Sequence, residues 1–168
     1  DVMIAMIEKS ADVGDHILSG AVLDPRALDE LIPEFRGECG AWATPVSRDQ
    51  LWFLKENGGY EAPFIPPIMR NEGKYVVTLS GLVRWLGEKV EEKGAFIIPE
   101  FAGRELLWEG ERVNGVRSSD KGVGHSGEPK GNFQPGADIT ARVTVLGEGP
   151  RQLPELRIQL SGPLPIRR

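Results

Sequence analysis

The chain has 168 residues, of which 40% are hydrophobic and 27% are charged, so it can bury a core and is not a disordered sequence. Its net charge is −5 and no basic stripe is visible, which argues against a nucleic-acid partner. Cys39 is the single cysteine, so this chain alone builds neither an internal disulfide nor a four-cysteine metal cluster. The sequence has no apolar run of about 18 residues, the length that a membrane-spanning helix needs.

The first predicted element is a strand over residues 1–8, because residues 2–7 form a nearly continuous apolar run. Such a run is typical of a strand that is buried on both faces of a parallel sheet. Glu8 ends the strand, where a carboxylate can accept hydrogen bonds from the ribose hydroxyls of a nucleotide. From spacing alone, a solvated acid at a strand end is the simpler interpretation.

Small residues follow in the stretch Leu18-Ser19-Gly20-Ala21, and they would let a flat cofactor or a phosphate approach the backbone closely. An ordinary turn is the alternative and, from these residues alone, the better one. Asp24-Pro25 then predicts the start of a helix, with aspartate at the cap and proline at the first helical position. This helix is expected to end near Pro33.

Two apolar clusters, residues 51–54 and 64–69, lie on either side of a turn that Gly58-Gly59 predicts. They favour an irregular hairpin in a proline-rich stretch. Exposed apolar clusters mark a partner or a membrane surface, whereas the alternative is a flap that covers the core.

A strand over residues 75–79, a helix from Gly81 to about Lys93 and a strand over residues 95–98 predict a βαβ unit. In such a unit the two strands pair in parallel through a right-handed crossover.

The remaining sequence predicts a β-hairpin over residues 105–117, a long loop over 118–136 and an alternating strand over 139–146. Gly147-Glu148-Gly149 follows that strand, and glycines at the carboxyl edge of a sheet are typical of ligand sites in open α/β folds. A turn is the alternative. Residues 152–168 have no assignment. No Ser-His-Asp, Cys-His or metal-ligand spacing is present, so we predict neither catalytic nor metal-binding residues.

Several of these stretches together resemble the FAD-binding part of the electron transfer flavoprotein–ubiquinone oxidoreductase family. They are "EKSADVGDHILSGAVLDPRALDELIPEF", "NEGKYVVTLSGLVRWLGEKVEEKGAFIIPEFAG", "VNGVRSSDKGVGHSGEPKGNF" and "ITARVTVLGEG". The resemblance covers roughly residues 5–151 and keeps the family's order.

The resemblance implies an α/β fragment of the FAD/NAD(P)-binding, glutathione-reductase-like fold over residues 1–151. It implies an oxidoreductase that passes electrons from reduced electron transfer flavoprotein through FAD and a [4Fe-4S] cluster outside this chain to ubiquinone. The family lies peripherally on a membrane, the matrix side of the mitochondrial inner membrane or the bacterial cytoplasmic membrane. Its phosphate loop would lie between Ile4 and Ala5, where this chain has no residues for it.

The resemblance also implies roles for individual residues. The expected FAD-binding residues are Glu8, Lys9, Ser19, Gly20, Ala21, Gly147 and Glu148. The membrane-dipping segment would be residues 14–35, with residues 51–69 as a flap at the quinone entrance. The expected residues on the membrane and quinone side are Leu28, Leu31, Ile32, Phe35, Trp52, Phe53, Phe64 and Ile65.

Two alternatives stay open. The chain is a non-catalytic remnant that acts as a membrane-surface or interaction module, or it is a related flavoprotein of the FixC or geranylgeranyl-reductase type.

Overall fold

The computed structural model describes residues 2–18 and 20–147, and the tail of residues 152–168 lies outside them. The strands are β1 Ala5–Ile7, β2 Gly20–Leu23, β3 Ala43–Pro45, β4 Trp52–Lys55, β5 Gly58–Glu61, β6 Tyr75–Thr78, β7 Phe96–Ile98, β8 Gly103–Glu109, β9 Arg112–Ser118, β10 Lys121–Val123, β11 Pro129–Gln134 and β12 Asp138–Thr140. The helices are α1 Arg26–Leu31, α2 Phe35–Glu38 and α3 Leu79–Glu92, with 3₁₀ turns over Gly40–Trp42 and Pro67–Met69. This mixed content confirms the predicted α/β class.

The described residues divide into two units. The first holds residues 2–4, 12–18 and 20–97, and the second holds residues 5–11 and 98–147. A partial FAD-binding domain over residues 1–151 stays a prediction.

The core of the first unit lies on a three-stranded antiparallel sheet of order β2-β6-β3. Phe35 and Val77 are its most deeply buried side chains, and the Phe35 ring meets the edge of the Tyr75 ring at 5.7 Å between centroids. The buried residues of this core are Leu28, Phe35, Cys39, Ala43, Tyr75, Val77, Leu82 and Trp85. The core therefore combines the central strand with one face of each helix.

Helix α3 packs closely on the turn over Gly40–Trp42. The rings of Trp42 and Trp85 lie 5.3 Å apart, and Gly81 makes the approach possible because a Cβ there would lie 2.5 Å from the Trp42 Cβ. Gly14 is buried against the same helix: its φ of +87° and the Ser80 carbonyl, 2.8 Å from the position of a Cβ, both require glycine.

Helix α1 begins at Arg26, one position after the predicted first residue, Pro25. The Asp24 carboxylate accepts a hydrogen bond from the Arg26 backbone N–H at 3.2 Å, and the helix ends at Leu31, two positions before Pro33. Asp24-Pro25 and Pro33 therefore indicate the two ends of this helix to within two residues, because each acts on the backbone within one turn of the chain.

The second unit contains the predicted hairpin, which β8 and β9 form around Gly110 with its φ of +62°. Strand β12 pairs with the other edge of β9. Arg117 of β9 joins both neighbours, since its guanidinium donates to Asp138 on β12 and to Glu105 on β8.

The strand predicted over residues 1–8 is mostly wrong, because β1 has three residues and Val2 and Met3 are exposed. A continuous apolar run becomes a doubly buried strand only where elements cover both faces. Within the described residues no element does so for Val2 and Met3.

The parallel pairing predicted for the βαβ unit is wrong as well. The strand, helix and second strand all exist as β6, α3 and β7, but β7 does not pair with β6. Both edges of β6 already carry antiparallel partners, β2 and β3, so β6 has no free edge for a parallel strand.

Two further expectations are corrected at the end of the second unit. The predicted loop of residues 118–136 contains the antiparallel hairpin of β10 and β11. The strand predicted over residues 139–146 is limited to β12, residues 138–140. All residues of strand β11 are exposed. A strand that buries neither face needs no alternation of apolar and polar residues, so the sequence contains no such pattern to indicate it.

Replacing Phe35 with alanine should lower the free energy of unfolding by about 3–5 kcal/mol, because it removes a wholly buried ring from a close-packed core. Leu31→Ala is the matched control on the neighbouring helix, and at 75% exposure it should change stability by less than about 0.5 kcal/mol. Urea unfolding of the two variants measures both values. Equal effects would contradict the described core.

Candidate functional site

The predicted ribose-binding acid lies at the end of β1 in the second unit. Glu8 is half-buried, and its Oε1 accepts a hydrogen bond from the Ser10 backbone N–H at 2.8 Å. The Glu8 backbone N–H donates to the Ile98 carbonyl at 3.0 Å, and its carbonyl accepts from the Phe101 N–H at 2.8 Å. The Ser10 N–H therefore orients the carboxylate, and the other two hydrogen bonds hold the Glu8 main chain.

The residues beside Glu8 complete a short polar edge. Ser10 is buried, and its carbonyl accepts from the Glu100 N–H at 2.9 Å. Glu100 has a φ of +55°, and its carboxylate pairs with Lys121 at 3.6 Å. Lys9, which follows Glu8 in the sequence, is exposed.

The other expected cofactor-binding residues lie elsewhere or outside the described part. Gly20 and Ala21 are in the first unit, whereas Gly147 is an exposed residue of the second unit. Ser19 and Glu148 lie outside the described residues.

Gly20 and Ala21 have a structural reason to be small. Both lie on β2, and a Cβ at Gly20 would come within 2.8 Å of the Val77 carbonyl on β6. Ala21 packs against the core. The ordinary structural interpretation therefore accounts for both residues, and a cofactor role for them stays a prediction.

Three glycines of the second unit have the spacing of a phosphate-binding loop. Gly122, Gly124 and Gly127 have the Gly-x-Gly-x-x-Gly spacing, but Gly122 lies within β10, the other two lie in the turn to β11, and no helix follows them within the described residues. The loop's own residue Glu128 accepts hydrogen bonds from the backbone N–H groups of Gly124 and Ser126. These amides are thus already satisfied, and the loop lacks the helix N-terminus that a pyrophosphate needs.

The second candidate site is an apolar flap, defined as residues 51–69 of the first unit. Its large apolar side chains are unusually exposed, with Leu54 at 83% and Ile68 at 92%. The exposed members are Trp52, Phe53, Leu54, Tyr60, Phe64, Ile68 and Met69, whereas Ile65 is half-buried. A cluster of this kind is typical of a docking surface.

The flap contains a regular hairpin that is apolar on both faces. Strands β4 and β5 pair antiparallel, and the cross-strand partners Phe53 and Tyr60 stack at 5.2 Å between ring centroids. Lys55 lies over the same Tyr60 ring at 5.2 Å. Trp52 and Leu54 alternate to the opposite face.

The turn of this hairpin is shifted from its predicted place. Residues 56–57 form the turn, whereas Gly58 and Gly59 belong to β5. The second cluster, residues 64–69, also lies outside the hairpin and ends in a 3₁₀ turn. A hairpin is present, but the predicted pairing of the two apolar clusters is wrong, because residues 52–55 pair with residues 58–61 instead.

A polar clamp closes the base of the flap. The Asp49 carboxylate accepts hydrogen bonds from the Asn71 backbone N–H at 2.7 Å and from its side-chain amide at 2.9 Å. Lys74 donates to the Asn71 side-chain oxygen at 3.3 Å, and its carbonyl accepts from the Val46 N–H. The clamp fixes the two ends of the flap next to each other.

The clamp also lowers the pKa of Asp49. The hydrogen bonds from Asn71, first its backbone N–H and then its side chain, hold the pKa of the Asp49 carboxyl below its ordinary value, and the charge of Lys74 adds to this. Sequence reasoning missed Asp49 and Asn71. Their separation of 22 positions leaves no local signal, although each lies directly beside an apolar cluster.

The expected membrane-side residues of α1 and α2 need a correction. Leu28 and Phe35 are buried in the core, so they cannot face lipid, because these positions pack on the sheet. Leu31 is exposed, and Ile32 is partly buried against the core. A lipid-facing stripe of all four residues is therefore wrong.

Within the described residues, none of the helices has the length and apolarity required to cross a membrane. No group of three or more His, Cys, Asp or Glu residues in this part of the chain is placed to hold a metal ion.

Comparison with known proteins identifies relatives over most of the chain. The chain is 43% identical over 155 residues to the probable electron transfer flavoprotein-ubiquinone oxidoreductase of Acinetobacter baylyi, covering 90% of this chain and 27% of that protein. It is 44% identical over 152 residues to the mitochondrial enzyme of that name from Arabidopsis thaliana, covering 90% of this chain and 24% of that protein. It is 39% identical over 151 residues to the mitochondrial enzyme of the same name from Bos taurus, covering 89% of this chain and 24% of that protein.

These relatives confirm the resemblance that the sequence motifs predict, and the chain spans about a quarter of their length. No family model matches the chain. Among solved structures, the myxobacterial chondrochloren halogenase CndH, a FAD-dependent halogenase, is similar with a TM-score of 0.47 and 16% identity, over 82% of this chain and 29% of that one.

Replacing Asn71 with alanine should raise the pKa of Asp49 toward its ordinary value, because the hydrogen bonds that favour the carboxylate are weakened. The stabilising contribution of the clamp is complete above the ordinary carboxyl pKa and is lost as the pH falls through the lowered one. An NMR titration of the Asp49 carboxyl carbon measures its pKa in the unaltered chain and in the variant. Asn132→Ala on β11 is the control and should leave the titration unchanged; an unshifted Asp49 in Asn71→Ala would contradict the clamp.

Proposed function

We propose that this chain is part of an electron transfer flavoprotein–ubiquinone oxidoreductase, and that it supplies the ribose side of an FAD site and a flap for the membrane surface. The 43% identity over 90% of the chain carries the proposal. The partners would be electron transfer flavoprotein and ubiquinone, and the location would be a peripheral one at the mitochondrial inner membrane or the bacterial cytoplasmic membrane.

The described residues fit one end of FAD. Glu8 offers a carboxylate whose direction is fixed by the Ser10 amide, and this is the acceptor that a ribose diol needs. Lys9 is close enough in sequence to contribute a cation. No glycine-rich loop followed by a helix precedes Glu8 in this chain, so the pyrophosphate would need residues beyond these.

Bound FAD would supply the two-electron and one-electron chemistry of the reaction. This chain's own contribution would be to hold the cofactor and to exclude water around it. The family's [4Fe-4S] cluster would lie outside these residues, because the single cysteine, Cys39, is buried in the core and its thiol contacts the Arg36 carbonyl.

The flap fits a lipid surface by its composition. Trp52 and Tyr60 are amphipathic aromatic residues of the kind that membrane interfaces favour, and Phe53, Leu54 and Ile68 supply apolar area. The clamp at the base holds this area outward at a fixed place. A hydrophobic quinone needs such a dry entrance.

A second candidate function is a membrane-surface module that binds no cofactor. The exposure of the flap favours it, since membrane docking requires only the first unit. The two candidates differ in one observable property, because only the first binds FAD.

FAD binding can be tested with a matched ligand pair. Purified chain should bind FAD but not riboflavin, because riboflavin lacks the adenosine ribose that Glu8 would hold. Glu8→Gln should weaken FAD binding, whereas Glu109→Gln on β8 should not. Equilibrium dialysis with detection of flavin absorbance measures all four cases. No binding of FAD by the unaltered chain would exclude the cofactor role of these residues.

Membrane docking can be tested by co-sedimentation with phospholipid vesicles. A variant with Trp52→Ser and Phe53→Ser should bind vesicles at least about tenfold more weakly, because it loses two large apolar side chains at the contact. Trp108→Ser is the matched control, since Trp108 on β8 is 50% exposed, as Trp52 is. Unchanged binding of the double variant would exclude the flap as the docking surface.

A further inference from the structure

The chain contains two asparagine–glycine pairs, and they lie in opposite surroundings. Asn57 ends the two-residue turn between β4 and β5, and both Asn57 and Gly58 are exposed. Asn114 and Gly115 lie within β9, the central strand of the sheet β12-β9-β8, and Gly115 is buried.

We propose that Asn57 is a site of spontaneous deamidation at the tip of the flap, and that the fold protects Asn114 from the same reaction. The backbone nitrogen of Gly58 attacks the side-chain Cγ of Asn57. A new N–Cγ bond forms, the Cγ–Nδ2 bond breaks, and the amide nitrogen leaves as ammonia with the proton from the Gly58 N–H. The product is a five-membered succinimide.

Water then opens the ring at one of its two carbonyl carbons. Cleavage of the N–Cγ bond gives aspartate, whereas cleavage of the original peptide bond gives isoaspartate with the backbone running through the side chain. The net reaction consumes one water and releases one ammonia, and no electrons are transferred. Either product adds a negative charge beside Glu56, and isoaspartate also lengthens the turn.

Gly58 pairs with Lys55 at the turn end of a hairpin whose residues are all exposed, so the Asn57–Gly58 bond lies where the ladder ends. Gly58 has a φ of +138°, and no heavy atom lies within 4 Å of the position that a Cβ would occupy. All residues of β4 and β5 are exposed, and a two-stranded hairpin opens at low cost in water. The turn can therefore reach the ring-closing conformation without opening the core of the first unit.

The geometry around Gly115 opposes the reaction. Gly115 lies opposite Leu107 of β8 and Thr140 of β12, and a Cβ there would collide with the Ile139 carbonyl. The Asn114 carbonyl also accepts a hydrogen bond from the Ala141 N–H at 2.9 Å. Asn114 itself lies in a bulge of the β8 ladder, so its protection comes from the hydrogen bond to Ala141 and from the pairing of Gly115 on both sides, which ring closure would have to break.

Incubation of the purified chain at mildly alkaline pH, followed by peptide mapping, tests the proposal. The peptide with Asn57 should gain the mass of an amide-to-acid conversion and yield isoaspartate, at least about tenfold faster than the peptide with Asn114, because Asn114 reacts only after strand opening. In denaturant the two peptides should react at similar rates, which shows that the fold causes the difference. Asn57→Gln and Gly58→Ala should each suppress the reaction at residue 57.

Two results would overturn the proposal. One is a folded chain in which Asn57 keeps its amide as long as Asn114 does. The other is equal, rapid deamidation of both residues in the folded chain, with circular dichroism showing that the protein is still folded.

Discussion

The packing of helices α1, α2 and α3 on strand β6 is the constraint on which the first unit depends. Tyr75 and Val77 lie on the buried face of this strand, Phe35 meets the edge of the Tyr75 ring, and Trp85 of α3 belongs to the same core. Strands β2 and β3 occupy both edges of β6. The long stretch between β3 and β6 adds no strand to this sheet, and the flap lies within that stretch.

Polar contacts, not apolar ones, determine where the flap begins and ends. Asp49 and Asn71 form hydrogen bonds through both the backbone and the side chain, so the two ends stay together even though the flap contributes little to the core. The ion pair of Arg48 and Glu61 adds a second cross-connection, which is exposed and therefore weak. This arrangement leaves the apolar side chains of the flap available for a surface outside the unit.

The sequence was most informative where the cause of a structure is local. The hydrogen bond of Asp24 at the start of α1 and the hairpin around Gly110 both follow from signals within one turn of the chain. Helix α3 was less well located, because it begins at Leu79, two positions before the predicted Gly81. Pairing partners were not predictable in this way, because whether β7 can join β6 depends on strands far away in sequence. For the same reason the apolar spacing of α1 and α2 could not distinguish a core face from a lipid face, and Leu28 and Phe35 proved to be core.

The candidate site residues also differ in how far local sequence could predict them. Glu8 lies at a strand end as the sequence predicts, and its role toward a ribose stays a prediction, whereas the small size of Gly20 has a sufficient cause in the neighbouring strand. The Gly-x-Gly-x-x-Gly spacing at residues 122–127 shows the opposite case. The pattern is present, but Glu128 occupies its amides, so the spacing alone carries no function.

Hydrogen exchange of the backbone amides, with and without vesicles of phosphatidylcholine and an anionic phospholipid, tests most directly whether the flap is the docking surface. Vesicles should slow exchange in residues 51–69 and leave the amides of β8 and β9 unchanged, since burial at a lipid surface excludes water only where contact occurs. Equal exchange in the flap with and without bound vesicles would contradict this role.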